Sequence, residues 1–282
     1  MIQITSTVAE VQNQVRQWKQ DGLTVALVPT MGYLHEGHGS LIAQAAKEND
    51  RVVVSIFVNP MQFGPAEDLA TYPRDLVRDQ QVCSQYGAHL IFHPTVEEMY
   101  TPGFSSYVDV SGLTEGLCGS SRPGHFRGVC TVVNKLLHIV APHKAYFGQK
   151  DAQQLAVIRR MVRDLNMDPD IVGCPIVREP DGLAKSSRNT YLSAQERAAA
   201  LCLSQALDLG RNMAAHGERD AAAIIEAVGA RIRQEPLAKI DYVHIVDLDT
   251  LKPVQQIDRP VLCALAVFIG KTRLIDNFIF TP

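Results

Sequence analysis

The sequence predicts an α/β protein, with a parallel sheet and covering helices over residues 1–180 and a smaller α+β domain over 181–282. Three observations carry this expectation. Short, almost wholly apolar runs recur, as strands buried on both faces require. Segments with apolar residues at helical spacing alternate with those runs, which is the pattern of a sheet linked by crossover helices. Beyond about residue 182 the alternation stops, and two alanine-rich stretches precede three strand-like runs.

Each element follows from local pattern. Val8, Val11, Val15 and Trp18 recur at helical spacing and predict an amphipathic helix. "LTVALVP" predicts a buried strand, "SLIAQAAKEN" a helix, and "RVVVSIFVNP" a second buried strand closed by Pro60. The three together form a βαβ unit. The polar stretch from Asp68 to Tyr86 predicts a helix before a strand at "AHLIFHP". "VCTVVNKLLHIVAP" and "AQQLAVIRRMVRDL" predict helices around a short strand at "KAYFGQ", and "DIVGCPIV" predicts another strand. In the second domain, "SAQERAAALCLSQALDLGRNMAAHG" and "ERDAAAIIEAVGARIRQE" predict helices. "IDYVHIVDL", "PVLCALAVFIG" and "TRLIDNFIF" predict strands.

Composition narrows the functional classes. A hydrophobic content of 46% with 20% charged residues is that of an ordinary globular chain. A net charge of -3 provides no electrostatic footprint for a nucleic-acid partner. No run of 18 apolar residues predicts a membrane span, and "MIQITSTVAEVQNQV" lacks a secretory pattern, so a cytoplasmic location is expected. Cys83, Cys118, Cys130, Cys174, Cys202 and Cys263 are scattered without a C-x-x-C pair, which predicts reduced thiols rather than disulfides or a zinc ribbon.

"VPTMGYLHEGHGSL", residues 28–41, places His35 and His38 between the first buried strand and its helix. Ligands of open α/β sheets bind outside the carboxyl ends of strands. Gly37 and Gly39 would let backbone approach a ligand, and the following helix offers free amides and a partial positive charge to phosphate. Three readings compete: a metal site, a phosphate site, or a glycine-rich turn with incidental histidines. A zinc helix needs histidines four apart, whereas these are three apart with glycine between, so no metal-ligand set is expected. Neither the P-loop nor the G-x-G-x-x-G fingerprint is present. A phosphate site would then need donors from elsewhere. Lys150 follows a strand, and Lys185, Ser186, Ser187 and Arg188 place two hydroxyls between two cations. Ser-Ser-Arg also occurs at residues 120–122, so the tripeptide alone means little.

The combination says more than its parts. "PTMGYLHEGH", "FVNPMQFG", "DLATYPR", "RPGHFRGV", "FGQKDAQQL" and "DGLAKSSRNTYL" occur in this order along nearly the whole chain. In these stretches the sequence resembles the pantoate–β-alanine ligase family, within the His-x-Gly-His nucleotidyltransferase superfamily that also holds class I aminoacyl-tRNA synthetases. The resemblance implies a Rossmann-like domain that binds ATP and pantoate, and a C-terminal domain that closes over the site. It implies adenylation of pantoate by ATP with Mg²⁺, then attack by β-alanine, in a homodimer. By the same resemblance Met31, Gly32, Tyr33, Leu34, His35, Glu36, Gly37 and His38 would line the ATP site. His38 would be the catalytic acid, His35 would hold phosphate, and Lys150 and Arg188 would join them in catalysis. Gly148, Gln149 and Asp151 would face the nucleotide, and Val177 would meet adenine through its backbone. Lys185, Ser186, Ser187 and Arg188 would close over the triphosphate. Gln62, Gln154 and Asn59 would bind pantoate, because an amide can both donate to and accept from a hydroxy acid. Arg122 and His125 are weaker candidates, and Gln153 and Gln154 could equally be helix-surface residues.

Gln149, Ala152 and Lys185 depart from the commonest family pattern, where Glu, an aromatic residue and Met or Leu are frequent. Two rivals remain at this level: a nucleotidylyltransferase that keeps the nucleotide on its product, and a non-catalytic ATP-binding module. A tRNA-charging enzyme is disfavoured, since no basic anticodon-binding appendage is visible.

Overall fold

A computed structural model describes residues 2–65 and 67–282. The chain divides into two compact units. The first comprises Met1–Val110, Arg122–Gln149 and Gln154–Pro175; the second comprises Ser111–Ser121, Lys150–Gln153 and Ile176–Pro282. The sequence predicts a single cut at 180/181, whereas this division also assigns two earlier segments to the second unit.

The first unit is built on β1 (Gln3–Thr5), β2 (Val25–Thr30), β3 (Arg51–Ile56), β4 (Leu90–Phe92), β5 (Lys144–Gly148) and β6 (Asp170–Cys174). All pair in parallel, in the order β1-β4-β3-β2-β5-β6. The helices up to residue 164 are, in chain order, α1 (Val8–Gln20), α2 (Glu36–Glu48), α3 (Leu76–Gln85), the single turns α4 (Val96–Met99) and α5 (Cys118–Ser121), then α6 (His125–Val140) and α7 (Ala152–Asp164); α5 and the first two residues of α7 belong to the second unit. Leu41, Ile42 and Ala45 of α2 and Cys83 of α3 pack on Ala26, Val28, Val52, Val54 and Ile91. That packing explains why the central strands read as unbroken apolar runs.

The sheet reverses at β2, whose neighbours are β3 on one side and β5 on the other. The chain leaves β2 and β5 in opposite lateral directions, so a crevice opens outside their carboxyl ends. The His35 loop follows β2, Asn59–Gln62 follows β3, and Gly148 ends β5. The site candidates of this unit therefore gather where the topology leaves space.

Four details differ from the sequence reading. The helix expected over Asp68–Tyr86 runs only from Leu76 to Gln85, as α3. β1 has only three residues, too few to show any alternation, and it extends the sheet by pairing with β4. α2 begins at Glu36 rather than Ser40, so His38 stands in its first turn and not in a loop. The predicted single helix over 193–217 is α8 (Ala194–Ala199) followed by α9 (Leu201–Ala215).

The second unit adds α10 (Ala221–Arg233) and an antiparallel sheet of β7 (Ala238–Asp247), β8 (Val261–Ile269) and β9 (Thr272–Phe280). Leu203, Leu207, Ile224, Val228 and Ile232 of its helices share one core with Val243, Cys263, Leu265 and Phe278. The buried Asp276 receives both Arg178 guanidinium nitrogens, at 2.7 and 2.9 Å. Gln153 fastens the early segment of this unit. Its side-chain oxygen accepts from Cys118 N at 2.9 Å, and its amide nitrogen donates to Leu113 O and Gly116 O. Gln153 is therefore a buried tie and not a helix-surface residue.

At the end of α2, Lys144 Nζ and the Tyr146 hydroxyl donate to Glu48 Oε2 at 2.9 and 2.8 Å. The Lys144 bond first, then those from Tyr146 and Gln44, hold the Glu48 carboxyl down at about 2. A depressed carboxyl contributes stability that is complete above its unfolded value and is lost as pH falls through its folded one. Glu48→Gln should thus lower Tm at neutral pH, and its scans should converge with those of the parent as pH approaches about 2. Calorimetric scans across that range check both ends.

Candidate active site

The chain leaves β2 through two left-handed residues, Gly32 at φ 85° and Tyr33 at φ 51°. The second is strained for an L-residue, so something must hold it. Asp79 of α3 does so: Oδ2 accepts from Tyr33 N at 2.9 Å and Oδ1 from Leu34 N at 2.6 Å. Asp79 is 1% exposed. Burial raises its carboxyl above the usual range, while the two amide bonds pull the other way.

His35 then caps α2. Its Nδ1 accepts from Gly37 N at 3.1 Å, and His38 Nδ1 accepts from His35 N at 3.3 Å. The pair forms a capping box in which imidazoles replace the usual hydroxyl and carboxylate. The rings lie 4.1 Å apart. Since both Nδ1 atoms accept, each neutral ring carries its proton on Nε2. The site thus offers two imidazole donors beside a helix N-terminus, which suits an anion.

Gly39 does not serve close approach to a ligand. A Cβ there would stand 2.4 Å from the Tyr86 ring, so this glycine lets α2 pack against the end of α3.

Beyond β3, Asn59 and Gln62 bracket a short 3₁₀ turn, Pro60–Gln62. The Tyr100 hydroxyl donates to Asn59 Oδ1 at 2.8 Å. Asn59 Nδ2 donates to Gln62 Oε1 and to Gly128 O, each at 3.1 Å. Gln62 Nε2 points at Met31 Sδ, 2.9 Å away, a weak acceptor. The Gln62 carbonyl accepts from His125 Nδ1 at 2.8 Å. A guanidinium can only donate, so Arg122 NH1, 2.9 Å from His125 Nε2, fixes that imidazole with its proton on Nδ1. Arg122 in turn meets both Glu67 oxygens at 2.7 and 2.6 Å. "RPGHFRGV" therefore locks the Gln62 turn in place.

The second unit carries the other candidates. Lys150 Nζ lies 3.6 Å from Asp151, and Lys150 O accepts from Asn277 Nδ2 at 3.0 Å. Lys185 N donates to Val177 O, and Lys185 Nζ pairs with Glu179 at 3.1 Å. Ser186 caps the 3₁₀ turn Ser187–Tyr191 by accepting from Arg188 N at 3.3 Å. Gln154, which belongs to the first unit, is half-buried on α7.

Sequence reasoning missed Asp79, Glu67 and Tyr100. Only "DLATYPR" hinted at the first two, because it marked the neighbourhood without saying which carboxylate turns inward. Among the described residues, no group of three or more His, Cys, Asp or Glu side chains could hold a metal ion.

A family model described as pantoate–β-alanine ligase matches residues 3–279. The pantothenate synthetases of Ruminiclostridium cellulolyticum and Enterococcus faecalis are 62% and 63% identical over 277 residues, 98% of each chain. The crystal structure of pantothenate synthetase from Thermus thermophilus superposes with a TM-score of 0.95 at 46% identity, covering 100% of both chains. A pantoate–β-alanine ligase from Francisella tularensis, complexed with β-γ ATP and β-alanine, gives 0.80 at 34% identity over 99% of this chain and 98% of its own.

The packing at Gly128 is directly testable. A Cβ there would fall 2.3 Å from Met61 O, with backbone rather than a pliable side chain in the way. Gly128→Ala should destabilise the protein by about 1–3 kcal/mol through overpacking. Thermal melts check this, and Gly124→Ala, with open space around its Cβ but φ 82°, separates backbone strain from collision.

Proposed function

The chain belongs to the pantoate–β-alanine ligase family, and we propose that it joins pantoate to β-alanine using ATP, through pantoyl adenylate, with release of pyrophosphate and AMP. The observation that carries the chemical reading is the histidine capping box at the switch point. In the first step the pantoate carboxylate attacks the α-phosphorus, and negative charge builds on the phosphate oxygens and on departing pyrophosphate. Two imidazole donors at a helix N-terminus match that charge. In the second step the β-alanine amine attacks the acyl carbon, and AMP leaves. No enzyme nucleophile is required.

In this reading His38 acts on the departing phosphate and His35 holds its neighbour, with Met31–Leu34, Glu36 and Gly37 beside ATP. Gln62 and Asn59 receive pantoate in the first unit. A hydroxyl or carboxylate oxygen is a better acceptor for Gln62 Nε2 than the Met31 thioether now facing it, so substrate would strengthen that bond. Gln154 would complete the pantoate set. Gly148, Gln149, Lys150, Asp151, Val177, Lys185, Ser186, Ser187 and Arg188 would serve the nucleotide. The Glu179 pair reduces what Lys185 adds to Lys150. Mg²⁺ would arrive on the ATP phosphates rather than on a protein cage. We further propose a homodimer, located in the cytoplasm; no helix among the described residues is long and apolar enough to cross a membrane.

A product assay with pantoate, β-alanine, ATP and Mg²⁺ tests the reading, with AMP, pyrophosphate and pantothenate expected in equal amounts. Nucleotide retained on the product would point to a nucleotidylyltransferase, and binding without pyrophosphate to a passive module. Activity that persists in excess chelator would remove the metal from the scheme. Light scattering should give twice the chain mass.

Two substitutions at His38 separate its roles. His38→Asn keeps an acceptor where Nδ1 stands but removes the Nε2 donor. It should preserve the cap and slow pantoate-dependent pyrophosphate release by about 10²–10³-fold. His38→Ala also loses the return bond to His35 N while the His35 cap remains, and should cost a further ~1 kcal/mol of stability. Both should still turn over supplied pantoyl adenylate. Gln62→Ala should weaken pantoate binding by about 1–3 kcal/mol while leaving ATP affinity unchanged, read by calorimetry.

A further inference from the structure

We propose that Asp79 is a positioning residue for the adenylation step: it holds the left-handed turn after β2 in the one shape that puts His35 at the cap of α2. The proposal rests on the ligase reading above, which assigns the histidines to adenylation.

Four observations support it. The turn is strained where the carboxylate grips it. Tyr33 stands at φ 51° without being glycine, and its amide and the next are the two that Asp79 accepts. The two oxygens divide the work, Oδ2 taking Tyr33 N and Oδ1 taking Leu34 N, so the charged form meets both donors at once. Leu34 is fully buried, so its amide has no recourse to water if the carboxylate is removed. The fit is also closed on the other side. A Cβ on Gly32 would lie 3.0 Å from Asp79 Oδ2 and 3.0 Å from Ile56, so carboxylate and glycine are matched to one conformation.

The link to chemistry is short. Leu34 precedes the N-cap directly, and the His35 amide is itself the donor that orients His38 through Nδ1. A rotation of the Tyr33–Leu34 peptide therefore moves both imidazoles together. The two bonds that Asp79 accepts come from backbone amides, so its grip reaches the rings through backbone. Displacement of a catalytic donor by about 1 Å can reduce rate by about 10²-fold.

Asp79→Asn is the primary test, because it retains one acceptor and turns an NH₂ toward the other amide. Pantoate-dependent exchange of pyrophosphate into ATP should fall about 10–100-fold in kcat. The KM for pantoate and the conversion of supplied pantoyl adenylate should stay within about threefold of the parent, since the Gln62 turn is fixed by Asn59, Arg122 and His125 rather than by Asp79. The ¹⁵N resonances of His35 and His38 should also shift, and this readout needs no turnover. Asp79→Glu keeps both acceptors on a longer arm and should recover part of the loss. Unchanged exchange with unchanged imidazole resonances would overturn the proposal. So would an equal fall in both half-reactions that follows the folded fraction, which is what a purely structural carboxylate would produce. If the asparagine variant does not fold, the glutamate variant decides by the same comparison; failure of both to fold would also assign Asp79 to stability alone. A parent protein without pantoate-dependent exchange would instead refute the ligase reading, and the imidazole resonances would then judge the positioning by themselves.

Discussion

How the chain leaves β2 sets the terms for the rest of the first unit. A parallel strand that turns into a helix has to reorient within a few residues, and here it does so through two consecutive left-handed residues. That turn works only because a buried carboxylate satisfies its amides and because the next residue caps the helix. The helix in turn buries its apolar face on the sheet. Strand, turn, cap and helix are one mechanical unit, and the imidazoles sit on it as structural members. Their chemistry follows from that placement: capping consumes Nδ1 and leaves the proton on Nε2.

Much of this was legible. Strands covered on both faces announce themselves as apolar runs, so β2, β3, β5 and β6 could be read directly, and so could α1 and α7 from their periodicity. The His35 and His38 region was found because two imidazoles and three glycines follow a strand end. What could not be read is equally physical. β1 is held by its pairing with β4 rather than by any pattern of its own. The early start of α2 depends on a histidine acting as N-cap, which ordinary capping preference does not anticipate. Asp79 looked like one more acid on a polar helix, because inward orientation is a property of packing and not of local sequence. Gly39 was misread for a related reason: glycine beside a candidate ligand site suggests close approach, but the approaching group is the Tyr86 ring.

The Gln62 turn shows a second style of construction. Three side chains from distant points of the chain, Tyr100, Arg122 and His125, converge on Asn59 and Gln62. A glycine of α6 lets two backbones come close enough for those bonds to form. One half of the candidate site is therefore stiffened locally, by capping, and the other by long-range cross-links.

The second unit also draws on segments far apart in the chain, and this has a bearing on biosynthesis. Cys118 meets the Tyr242 hydroxyl at 3.2 Å, and Ser121 meets Asp241 at 3.0 Å. At a ribosomal pace of about 5–20 residues per second, roughly 6–24 s separate the emergence of the two sides of these contacts. During that interval Cys118 and Ser121 lack these two partners, whereas Gln153, which accepts from Cys118 N, is made earlier. The nascent protein therefore passes through a stage in which its first unit is nearly complete while a stretch inside it awaits the last strands. Slow codons or chaperone binding between residues 121 and 242 would act on that stage, and a truncated chain ending at the apparent domain boundary would be trapped in it.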